Sequence, residues 1–128
     1  MTLRGGDTFV IPDPGDDPDE IWVIASDPDL DNDVVMFKLE TNNPRRDQAC
    51  VIRRGEHPEI TKDVAVSYEF GIIVSVNKLE RLLELSCRKS DPLSAETFNR
   101  VREGAAASEF TSPRVRRMIA PDSVRRSK

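Results

Sequence analysis

Gly71-Ile72-Ile73-Val74-Ser75-Val76-Asn77-Lys78-Leu79-Glu80-Arg81-Leu82-Leu83-Glu84-Leu85 changes its hydrophobic period partway along, and that change decides the fold class. Gly71 to Val76 is a firm apolar run, the pattern of a strand. From Leu79 the apolar residues Leu79, Leu82, Leu83 and Leu85 recur at helical spacing, with Glu80, Arg81 and Glu84 turned outward. Short strands precede this point and helical patterns follow it. Strands first and helices last predict an α+β domain.

Upstream, Thr8 to Ile11 reads as a first strand, entered through Gly5-Gly6. Pro12 to Asp19 holds three prolines and repelling carboxylates, so it is a loop. Glu20 to Ser26 is a nearly continuous apolar run, expected of a strand buried on both faces. Val34 to Glu40, Ala49 to Ile52 and Val64 to Tyr68 complete a set of five or six short strands joined by Pro/Gly/Asp turns. Their close spacing predicts a small barrel or curled sheet. Downstream, Ser94 is a good N-cap, and Leu93 and Phe98 stand at the two positions of a hydrophobic staple. That helix is expected to run through Val101 toward Gly104. Ser112-Pro113 predicts a short basic helix over 113–119, with the last residues disordered. The expected division is a barrel with helices over 1–104 and a basic helix and tail over 105–128.

The 128 residues suffice for one domain with a real core, and 33% of them are charged. No apolar run approaches the roughly 20 residues of a membrane span. The N-terminus lacks the apolar stretch of a signal peptide, so a cytoplasmic protein is expected. Cys50 and Cys87 have no neighbouring ligand-like Cys or His, and buried free thiols are expected. Neither a metal site nor a cofactor is expected, since Gly-rich phosphate loops and paired histidines are missing. The run Asp27-x-Asp29-x-Asp31-x-Asp33 lacks the glycine and closing glutamate of a calcium loop and reads as a solvated turn. The net charge of −4 is unevenly spread: residues 1–33 carry ten carboxylates against Arg4 alone, and the remainder is net +5. A basic face for an anionic partner fits this split, as does plain solubility.

Several segments resemble the PemK/MazF family of toxin endoribonucleases, whose fold is an SH3-like barrel with added helices. Gly6-Asp7-Thr8-Phe9-Val10 resembles that family's opening strand, and Ile21 to Ser26 its second. Val35 to Thr41 is similar to its strand ending in Leu-Thr. Ile72 to Leu83 resembles its late strand leading into Lys-x-x-Leu. A narrower PemK-like group has Gly-Asp/Glu-His-Pro followed by a tyrosine, here Gly55-Glu56-His57-Pro58 and Tyr68, with Ser108-x-x-x-Ser112-Pro113 in the tail. The resemblance implies a toxin that cleaves RNA without metal, a cognate antitoxin that covers the RNA groove, and a homodimer.

Metal-free RNA cleavage needs an acid, a base and cations on the scissile phosphate. His57 is the chain's only histidine and can give or take a proton near neutral pH. Arg53 or Arg54 can hold a phosphate bidentately, and Thr41 matches the family's hydroxyl position. Arg45, Arg46 and Lys62 supply further cations, and Tyr68 a surface for base stacking. Each also has a plainer reading: a turn histidine, solvated arginines at a strand end, a local Thr41 turn bond, a core tyrosine. One departure stands out. Where the family places a basic residue before its second strand, this chain has Asp16-Asp17-Pro18-Asp19-Glu20, and carboxylates there repel a phosphodiester. A non-catalytic module that binds a protein or nucleic acid is the alternative expectation, as is an acidic lid over the groove.

Overall fold

The computed structural model describes residues 3–119. In chain order these form β1 (Thr8–Ile11), β2 (Glu20–Ile24), β3 (Asp33–Thr41), β4 (Val51–Ile52), β5 (Val64–Ser75), α1 (Val76–Leu85), β6 (Arg88–Ser90), α2 (Ala95–Ala107) and α3 (Pro113–Ile119). The change of period falls at Ser75: its Oγ accepts the Lys78 N–H at 3.1 Å and caps α1. Ser94 caps α2 in the same way, through the Thr97 N–H.

The six strands pair antiparallel in the order β4-β5-β3-β2-β1-β6 and curl into a half-barrel. Helices cover both faces, which explains the continuous apolar run in β2. Val23 points into a core shared with Phe37, Tyr68, Val101 and Ala105, whereas Ile24 joins Phe9, Val34, Val74 and Leu79 on the opposite face. The expected boundary at 104 falls inside α2, and Val115 and Ile119 of α3 lie in the first of these cores. The basic helix is therefore part of the domain. The expected tail at 120–128 lies outside the described residues.

Two strands expected over 64–68 and 71–76 are one strand with a corner. Between Met36↔Ile72 and Lys38↔Ser67, β3 advances two residues while β5 advances five, so Tyr68 to Gly71 bulge from the ladder. A side chain at Gly71 would put its Cβ 2.5 Å from the Phe37 ring. Tyr68 turns inward at this corner. Its ring meets Phe37 edge to face at 4.9 Å, and its hydroxyl donates to Val101 O at 2.7 Å. Gly104 lets α2 approach, since a Cβ there would sit 2.2 Å from the Tyr68 hydroxyl. Strand β6 was not expected, because Arg88-Lys89-Ser90 contains no apolar residue; it forms by pairing with β1.

Candidate functional site

The 53–63 connection folds back on itself through a positive φ at Gly55 (+91°) and backbone bonds from Gly55 N–H to Ile60 O and Ile60 N–H to His57 O. This carries His57 across to the far edge of the sheet. There the ring is 3% exposed. Its Nδ1 accepts the Glu59 N–H at 3.0 Å, so the neutral ring carries its proton on Nε2. Nε2 lies 2.5 Å from Asp91 O and 3.3 Å from Thr8 Oγ1, and Thr8 itself donates to Asp91 O. Glu59 adds a two-pronged ion pair with Arg88 of β6 and accepts from Ser90. Glu56 takes the Arg53 N–H, the Thr97 hydroxyl and the Arg100 guanidinium. The segment next to β4 is thus fastened to β1, β6 and α2. It draws the two edges of the half-barrel together.

The expected catalytic residues each have contacts of their own. His57 has both ring nitrogens committed inside the seam. Arg53 is exposed and lies 3.6 Å from Asp63, while Arg54 is exposed with its N–H bonded to the same carboxylate. Thr41 and Lys62 line another cleft, together with Asp19 and Glu59. The acidic loop therefore does place a carboxylate beside Thr41. Asp19 is fixed there by accepting the Asp13 N–H.

Arg45, Arg46 and Tyr68 meet at a third place, a groove of about 210 Å³ at the β5 corner. Arg46 pairs with Glu40 and donates to Thr41 O at 2.8 Å. Tyr68 contributes to the groove from below, with its hydroxyl spent on α2. Burial pushes its phenol well above the ordinary range, and burial likewise raises the neighbouring Cys50 thiol.

Two residues absent from the expected set dominate this groove. Phe70, 63% exposed, stands on the corner of β5, and Phe110, 48% exposed, reaches it from the α2–α3 connection. Ile72, two residues along the strand from Phe70, is 44% exposed. Beyond Val66, no described strand pairs with the side of β5 turned away from β3. A free sheet edge thus coincides with exposed apolar side chains. The signal was present in the sequence: Phe70 follows Glu69 and Phe110 follows Glu109, outside the apolar periods. Compared with known proteins, the chain matches no family model, no curated protein and no solved structure. Fold and site together define an α+β domain with a closed seam on one side and an open, apolar strand edge on the other.

Proposed function

We propose that this domain is a non-catalytic binding module that takes an extended segment of a partner protein along the free edge of β5. The supporting observation is the meeting of Phe70 and Phe110 at an unpaired strand edge that also carries the exposed Ile72. A partner strand can satisfy the edge N–H and C=O groups while its alternate side chains cover the three apolar ones. Such edges invite pairing, and natural sheets usually cover or charge them.

Charge decides between protein and RNA here. Arg45 and Arg46 share the groove with Glu40, Asp47 and Glu69, so it offers no net positive charge to a polyanion. Against cleavage, both ring nitrogens of His57 are engaged in the seam, and among the described residues no arginine is paired with it. A cognate antitoxin, which the PemK/MazF resemblance would supply, is one instance of the proposed partner class.

Selection from a displayed library of short peptides tests this reading. Selected peptides should alternate apolar residues, and binding should fall about 5–30-fold in Phe70→Ala and Phe110→Ala, as for buried aromatic anchors. A labelled RNA pool incubated in parallel should be neither cleaved nor bound with steep salt dependence. Cleavage lost in His57→Ala but not in Phe70→Ala would overturn the proposal.

A further inference from the structure

A cleft of about 600 Å³ lies elsewhere, between the β2–β3 loop and helices α2 and α3. One wall carries Asp27, Asp29 and Asp31, and the other carries Arg102, Arg114 and Arg117. Among the described residues, no ion pair joins the two walls. Part of each wall is instead held in its own place. Asp27 accepts the Gly5 N–H at 2.9 Å, and Asp29 accepts those of Asp31 and Asp33 at 3.0 and 2.9 Å. Across the gap, Arg102 lies over the Phe98 ring at 5.8 Å and donates to Ile119 O at 3.0 Å.

Opposite charges on facing walls select a ligand that is itself dipolar. A pure polyanion would meet the aspartates, and a pure cation the arginines. Between the walls lie Phe98 and Met118, suited to an aliphatic stem. Ser26 also lines the cleft and is only 7% exposed. Its Oγ accepts the Val35 N–H at 3.0 Å, which leaves the hydroxyl proton without an acceptor among the described residues. The cleft volume falls within the range of small-ligand sites.

We infer that this cleft binds a basic amino acid with a free α-carboxylate: the carboxylate on Arg114 and Arg117, the side-chain guanidinium or ammonium on the Asp27–Asp31 wall. Guanidinium–carboxylate pairs form two parallel hydrogen bonds, which favours arginine over lysine. The ligand is either the free amino acid or the last residue of a peptide chain. This inference is independent of the partner edge at β5, which lies among different residues.

Amide chemical shifts of the full chain, titrated at low ionic strength, provide the test. Free L-arginine and the tripeptide Gly-Gly-Arg should both saturate shifts over residues 25–31 and 114–118. Tighter binding by the tripeptide assigns a chain end as the source, and tighter binding by L-arginine assigns the free amino acid. Agmatine, which lacks the carboxylate, and the C-terminally amidated tripeptide should bind about fivefold to tenfold more weakly. Arg117→Ala should shrink that difference and Arg114→Ala with Arg117→Ala should abolish it, and Asp31→Asn should weaken L-arginine binding by a similar factor. All three positions are exposed, so these variants should retain the wild-type spectrum elsewhere. Absence of saturable shifts with either arginine ligand, or equal binding of agmatine, overturns the inference.

Discussion

Replacing His57 by alanine removes the ring that links the 53–63 connection to β1 and to the backbone after β6. Two bonds go with it: the short Nε2–H to Asp91 O, and the 3.0 Å bond from the Glu59 N–H to Nδ1. Each is worth about 1 kcal/mol net, and the stranded Glu59 N–H adds roughly another 1 kcal/mol. Asp91 O keeps its bond from Thr8, so the loss should total about 2–3 kcal/mol. For a domain of this size that corresponds to a fall in melting temperature of about 8–12 °C.

Two conservative variants divide the effect. Asparagine offers an oxygen where Nδ1 stood and should still receive the Glu59 N–H. Glutamine offers an N–H where Nε2 stood and should still reach Asp91 O. Each should recover about half of the lost stability, measured by calorimetry or urea unfolding. A melting temperature within about 3 °C of wild type in His57→Ala would refute the latch. Asparagine and glutamine no better than alanine would show that ring volume, not hydrogen bonding, holds the seam.

Two further outcomes follow from the same packing. Gly104→Ala should destabilise the domain by about 1–3 kcal/mol despite alanine's better helix propensity, because its Cβ would meet the Tyr68 hydroxyl and Cys50; Gly104→Ala with Tyr68→Phe should recover part of this, read by thermal melting. The bond from Arg88 holds the Glu59 carboxyl below its ordinary value of 4.5. At Glu56, burial pushes the carboxyl up but is outweighed by bonds from the Arg53 N–H, Thr97 and Arg100, so it too sits lower. Groups with depressed folded values stabilise the fold fully above about pH 4.5 and lose that contribution as pH falls below it. Melting temperature should therefore drop on acidification from pH 5 to pH 3, and more shallowly in Glu59→Gln.

The parts of the fold that were legible had local causes. Ser75 and Ser94 cap helices where a polar hydroxyl precedes an apolar period, and Ile21 to Ala25 alternates into two cores because both sheet faces are covered. Strand β6 was illegible because its stability comes from β1 rather than from apolar residues of its own. In the sequence the corner at Tyr68 to Gly71 looks like a gap between strands, since only the register against β3 reveals the bulge. The candidate functional set depends on the same kind of distant contact. Residue chemistry drew His57, Arg53 and Thr41 together, whereas tertiary contacts use His57 to close the sheet. The exposed pair Phe70 and Phe110 lies forty residues apart and meets only through the placement of α2 against β5.

Hydrogen exchange across the whole chain, with and without a library-selected peptide, measures the partner edge most directly. The free edge predicts that amides within 70–74 facing away from β3 exchange fast in the free protein and slow on binding, while residues 53–60 change little. Protection gained at 53–60 with none at 70–74 would contradict it, returning the binding site to the His57 segment.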